Sequence, residues 1–175
     1  MKPEAIDIDS ERFSEAVFEL VRRTACELPD DVKTALEKAR AVEEPGSPAE
    51  LSLALCLKNI EMAKELSKPA CQDTGKPTFY VRHPENLSRR TMIRVFQDVL
   101  VRATRAQFLR PNAVDPVTGK NSGVNVGDGF PGAYFSEWDE PGIEIDLILK
   151  GGGSENVGRQ YSLPCGEPAL SLIHI

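Results

Sequence analysis

Apolar residues recur at helical spacing through the first third of the chain. Phe13, Val17, Leu20 and Val21 share one face of a segment that Ser10 is placed to cap. A second helix is expected from about Asp30, with Val32, Ala35, Leu36 and Ala39 on one side, until Glu44-Pro45-Gly46 breaks it. Ser47, Pro48 and Glu50 then read as a capping box at the start of a third helix. Its apolar positions are Leu51, Ala54, Leu55, Met62 and Leu66, and it halts before Pro69.

The pattern changes at Lys68. Residues 69–77, Pro-Ala-Cys-Gln-Asp-Thr-Gly-Lys-Pro, neither continue a helix nor alternate as a strand, so they are expected to form a polar loop. Thr78-Phe79-Tyr80-Val81 reads as a strand. Ser88 opens a long helix running to about Leu109. Met92, Phe96, Val99, Leu100 and Ala103 face inward, and Arg90, Arg94, Arg102 and Arg105 lie on a solvated side. From Pro111 to Gly132 the chain is punctuated by Asn121-Ser122-Gly123 and Gly127-Asp128-Gly129, and a loop of that length is often functional. Two more strands follow, near 133–138 and 143–149, the second with Glu144 and Asp146 alternating with Ile143, Ile145 and Leu147. It runs straight into Lys150-Gly151-Gly152-Gly153-Ser154-Glu155-Asn156. The expected fold is therefore mixed α/β: a helical front, then a small sheet with the long helix packed on it.

Composition narrows the function. The 175 residues suit one domain or a large piece of one, and 41% hydrophobic with 27% charged residues allow a real core. A net charge of −6 argues against a dedicated nucleic-acid binder. No apolar run is long enough to cross a bilayer, and the start has no cationic-then-apolar signal pattern, so a cytoplasmic location is the default. Four cysteines are present, Cys26, Cys56, Cys71 and Cys165, with no Cys-x-x-Cys among them. In a reducing compartment disulfides are not expected. Cys26 and Cys56 sit within helical patterns and read as small apolar core residues.

Cys71 differs, because a thiol in a polar loop is free to act as nucleophile or ligand. As a nucleophile it needs a base, for which His83 is the sole candidate. As a ligand it is one of the three thiolates that a four-iron cluster requires if one iron is to stay open. The glycine triplet at 151–153 suits a backbone turn that approaches an anion, but it matches neither a phosphate loop nor Gly-x-Gly-x-x-Gly. Arg110, at a helix end before Pro111, carries a fork suited to planar carboxylates. Each feature alone is also compatible with a surface loop, a tight turn or a surface arginine.

Taken together, Cys71-Gln72-Asp73-Thr74-Gly75, Leu109-Arg110 with Val114-Asp115-Pro116, and the Lys150–Asn156 heptad resemble, in order and spacing, the class I (iron–sulphur) fumarate hydratases and their tartrate dehydratase alpha-subunit relatives. Thr118-Gly119-Lys120-Asn121 and Gln160-Tyr161-Ser162-Leu163-Pro164 are similar too, and the likeness spans about residues 10–164. The resemblance implies a [4Fe-4S] cluster with Cys71 as its first ligand and two further cysteines downstream of Ala169, Cys165 falling too early to count. It implies that Gln72, Arg110 and Gly153 contact substrate and that Asp73 takes part in proton transfer. A small dicarboxylate substrate, a beta subunit or fused C-terminal domain, and assembly as a homo- or hetero-oligomer are implied as well. The implied reaction is reversible hydration of fumarate to malate, with L(+)-tartrate dehydration as the alternative. Two other readings stand beside it: a non-catalytic anion-binding module using the glycine loop and the Arg90/Arg94/Arg102 face, and a Cys71/His83 nucleophilic enzyme.

Leu170-Ser171-Leu172-Ile173-His174-Ile175 matches the translation of a transposase-adapter sequence used in library preparation. On that reading residues 1–169 are the front part of a longer catalytic domain and 170–175 are not natural sequence. An ordinary apolar C-terminus is the other reading.

Overall fold

Three serines set three helix starts. The side chains of Ser10, Ser47 and Ser88 accept from the backbone N–H of Phe13, Glu50 and Thr91 at 3.3, 3.1 and 3.2 Å, satisfying donors that a first helical turn leaves unpaired. They open α1 (Glu11–Cys26), α3 (Pro48–Leu66) and α4 (Arg89–Arg105), and α2 (Asp30–Val42) starts after Pro29. The computed structural model describes residues 6–151, so Gly153, Cys165 and the last six residues lie outside the described part. The long helix ends at Arg105, short of the expected Leu109, because the chain turns at Gln107 with φ +66°.

The sheet is mixed. Strand β1 (Lys76–His83) is central, with β2 (Gly132–Glu137) parallel on one side and β3 (Glu144–Lys150) antiparallel on the other. A parallel neighbour needs a long crossover, and α4 with the loop after it supplies one. β2 and β3 flank β1, so residues 138–143 cross its far end, where Trp138 N–H donates to the His83 carbonyl at 3.0 Å. β1 begins two residues before the expected Thr78. Pro77 precedes the first β1–β2 pair, Thr78 with Gly132, where a missing N–H costs no ladder bond on that side.

Alternation along β1 sends Phe79, Val81 and His83 to the core and Tyr80 and Arg82 to solvent. All five expected α4 residues, Met92, Phe96, Val99, Leu100 and Ala103, are fully buried against that face and against α1. Phe79 and Phe96 stack at 4.2 Å between centroids and form the centre of the core. Each buried side chain of this size contributes roughly 1.5–3 kcal/mol by removal from water.

The α2–α3 pair departs from the reading of its periodicity. No residue of α2 is buried, and α3 buries Ile60 and Ala63. Its expected apolar stripe stays in solvent, with Leu55 68% and Leu66 61% exposed. Cys56 is exposed as well, so it is no core residue, whereas Cys26 is fully buried. The capping box at Ser47 closes on one side alone. The Glu50 carboxylate accepts from Arg40 Nε at 2.7 Å, and the Ser47 N–H donates to the Glu44 carbonyl instead.

Candidate functional site

The loop between α3 and β1 is anchored at Ala70. Ala70 N–H donates to the Ala25 carbonyl at 3.0 Å, and the Ala70 carbonyl accepts from Asn59 Nδ2 at 2.8 Å. Cys71 and Gln72 follow, both exposed. They line an open cleft of about 580 Å³ together with Asn59, Gln107, Arg110 and Pro111. Three residues picked out in the sequence, Cys71, Gln72 and Arg110, thus share one depression, although 38 positions separate Gln72 from Arg110 (110 − 72).

Thr74 joins the two segments. Its buried hydroxyl accepts from Arg110 N–H at 3.0 Å and from Asn112 Nδ2 at 3.1 Å, and that same amide donates to the Gly75 carbonyl at 3.2 Å. Asp73 and Gly75 lie beyond this seam and line a second cleft of about 540 Å³ with Lys76, Tyr80, Asn112, Tyr134 and Lys150. Asp73 therefore opens to a different depression from Cys71, and its carboxylate accepts from Gly75 N–H at 3.0 Å.

Gly75 brings in the third motif. Its φ is +66°, and a Cβ there would sit 2.3 Å from the carbonyl carbon and oxygen of Lys150 and 2.7 Å from the nitrogen of Gly151. Only glycine permits that contact at that backbone angle. The end of β3, where the glycine stretch begins, is thereby held against the Cys71–Gly75 loop. The order Cys-Gln-Asp-Thr-Gly, Leu-Arg, Lys-Gly in sequence becomes one cluster in space, with Thr74 and Gly75 as its hinge points.

A family model described as Fumarate hydratase (Fumerase) matches residues 14–173. The chain belongs to the fumarate hydratase family. Within it, the chain is 43% identical over 155 residues to a protein assigned as fumarate hydratase class I from Geobacillus stearothermophilus, covering 89% of this chain and 30% of that protein. It is 35% identical over 151 residues to a protein assigned as an L(+)-tartrate dehydratase subunit alpha from Methanocaldococcus jannaschii, covering 83% of this chain and 53% of that one. With the L(+)-tartrate dehydratase subunit alpha of Escherichia coli strain K12 it shares 30% identity over 160 residues, covering 87% and 50%. The chain thus spans between about a third and about half the length of these fumarate hydratase family relatives.

Other residues fall differently from their reading in sequence. His83 ends β1, buried, with Nδ1 2.8 Å from the Pro84 carbonyl. The Cys71 loop enters at the opposite end of that eight-residue strand, about 23 Å away at ~3.3 Å per residue. That distance removes the Cys71/His83 dyad. Of the arginine face of α4, Arg102 is engaged within the fold, bound to Glu15 at 2.6 Å and lying over the Phe18 ring. Asp115 serves its own turn. Its carboxylate accepts from the backbone N–H of Thr118 and Val117 at 2.9 and 2.8 Å, which hold it below the usual carboxylate range.

Asn112 and Asn125 carry no mark of their own in the sequence, and Thr74 stands out there only as part of the Cys71–Gly75 motif. Asn125 is fully buried. A lone polar residue in a loop has no periodicity to betray it. The one available signal was the density of Asn, Gly and Ser between 111 and 132, which marks a loop but not which residue is buried.

The chemistry of the first cleft suits a cluster ligand. Cys71 is an exposed thiol on an open depression beside an arginine, with no acidic side chain among the described residues that line it. Among the described residues no group of three His, Cys, Asp or Glu is placed to hold a metal ion, so Cys71 has the chemistry of a single ligand there and not of a complete set.

Proposed function

We propose that this chain is part of the cluster-bearing subunit of an iron–sulphur hydro-lyase that reversibly hydrates fumarate to malate, a reaction of the tricarboxylic acid cycle. One observation carries this reading: Cys71, Gln72 and Arg110 share a cleft, and the loop that carries Cys71 meets the start of the glycine stretch through Gly75. Cys71 is the residue that would hold a [4Fe-4S] cluster. Such a cluster, with one iron free of protein ligands, supplies a Lewis acid for carboxylate and hydroxyl oxygens.

This chain's own residues do the rest. The Arg110 guanidinium offers a bidentate fork to one substrate carboxylate, and its backbone is pinned on both sides, which fixes where that fork starts from. Gln72, beside Cys71, supplies an amide for a second substrate oxygen. Asp73 moves the proton that hydration adds to or removes from carbon. Because its cleft lies across the Thr74 seam, substrate must reach the junction of the two depressions for Asp73 to act. Gly153, outside the described residues, is assigned a contact with substrate through its backbone. The remaining cluster ligands and the rest of the acid–base machinery are assigned to the missing length and to a second subunit or fused domain. A thiolate ligand requires reduced cysteine, which favours the cytoplasm.

Tartrate dehydration is the second reading, favoured by the subunit-alpha names of two relatives. The test is the full-length protein with its partner, reconstituted anaerobically with iron and sulfide and assayed on fumarate, malate and L(+)-tartrate. A brown, oxygen-sensitive sample that hydrates fumarate, and loses both colour and activity on Cys71→Ser, meets the proposal. Efficient tartrate turnover with negligible fumarate hydration reverses the order of substrates. An iron-free preparation with full activity ends the cluster assignment.

A further inference from the structure

Arg110 is held from behind by a residue that touches neither cleft. Asn125 uses its whole amide. Its oxygen accepts from Asn112 N–H at 3.2 Å, and its nitrogen donates to the Arg110 carbonyl at 2.6 Å and to Thr104 Oγ1 at 3.0 Å. Thr104, in the last turn of α4, in turn donates to the Leu100 carbonyl at 2.7 Å. With Arg110 N–H on Thr74, the backbone of residue 110 is bonded on both sides, to the cysteine loop and to the core helix.

We propose that Asn125 is a positioning residue for the proposed dicarboxylate site, fixing the span between the Cys71–Gln72 corner and the Arg110 fork. The inference rests on the hydro-lyase reading for its ligand, but its geometry stands on the described residues alone. Cys71 and Arg110 come from segments far apart in the chain. The connection across the cleft floor runs from Gly75 and Thr74 through Asn112 to Asn125 and the end of α4. A diacid gripped at both ends reads that span as a length. Only a carboxamide offers an acceptor and two donors in one plane, so Asp or Leu at position 125 cannot reproduce all three bonds.

The perturbation is Asn125→Asp in the full-length protein with its partner. The acceptor remains, while the Arg110 carbonyl and Thr104 lose their donor. A residue left loose in this way binds the far carboxylate less well without changing the reacting corner. KM for the diacid is expected to rise roughly tenfold, which corresponds to about 1.4 kcal/mol, a usual cost of an unmade buried hydrogen bond. The value of kcat should stay within about threefold, because the loss falls on ground state and transition state alike. Cluster absorption should hold near the wild-type value; the melting temperature should fall by a few degrees, as unmade buried bonds require, and KM is read well below it.

An unchanged KM in folded Asn125→Asp overturns the proposal, as does a parallel loss of kcat and cluster absorption. If Asn125→Asp does not fold, the neutral Asn125→Ala carries the same test, since it removes all three bonds without burying a charge. If wild type turns over neither acid, the hydro-lyase reading has failed by itself. Hydrogen exchange then decides the positioning: faster exchange at residues 110–112 in Asn125→Asp with α4 unchanged supports it, and equal rates refute it.

Discussion

Gly75→Ala separates backbone strain from close approach and so tests the convergence of the motifs. Alanine at φ +66° pays roughly 1–2 kcal/mol for a left-handed backbone. Its Cβ would also stand 2.3 Å from the carbonyl of Lys150, a backbone atom that cannot swing aside as a side chain does. Relieving that overlap means parting the loop from the end of β3, at a further cost of about 1–3 kcal/mol, typical of overpacking. Gly119 is the matched control: its φ is +69°, and nothing lies within 4 Å of where its Cβ would be. Gly119→Ala therefore reports the strain without the collision. In urea unfolding, with a slope of about 2 kcal/mol per M, the midpoint of Gly75→Ala should fall below that of Gly119→Ala by about 0.5–1.5 M. Equal midpoints would mean that the cysteine loop and the end of β3 do not touch, and the cluster of motifs would dissolve with them.

The remaining predictions concern the core, charge and thiols. Phe96→Ala removes one partner of the fully buried Phe79–Phe96 stack and should cost about 3–5 kcal/mol in urea unfolding; a loss below about 1 kcal/mol would place the core elsewhere. Glu19, hydrogen-bonded by Arg22 and then Arg23, has its carboxyl lowered from 4.5 to about 2. A depressed folded value stabilises the protein above the unfolded value and is lost as pH falls toward 2, so wild type should exceed Glu19→Gln in stability at pH 7 and converge with it near pH 2. The difference should stay below about 1 kcal/mol because the Glu19 side chain is 43% exposed and screened by solvent; a gap that widens on acidification refutes the sign. Thiol labelling of the native chain, mapped by mass spectrometry, should modify Cys71 and Cys56 quickly and Cys26 slowly, since burial both shields the Cys26 thiol and pushes its pKa up.

What was legible in the chain by itself was local. Ser10, Ser47 and Ser88 mark helix starts because a cap needs only its own next three residues. Met92, Phe96, Val99, Leu100 and Ala103 read as a buried stripe because one helix face repeats every 3.6 residues. The motif order around Cys71, Arg110 and Lys150 marked the family for the same reason, being a string of residues at set spacing. The stripe on α3 shows where this stops: periodicity names an apolar face but not what it meets, and Leu55 and Leu66 face solvent among the described residues. Tertiary structure alone decided that β1 lies between a parallel and an antiparallel neighbour, that His83 stands a strand's length from Cys71, and that Asp73 opens to a different cleft from Gln72 beside it. It also decided that Asn125 is buried, and that Gly75 meets Lys150 across 75 positions (150 − 75). Those are contacts between distant segments, set by which surfaces exclude water together, and no window of neighbouring residues contains them.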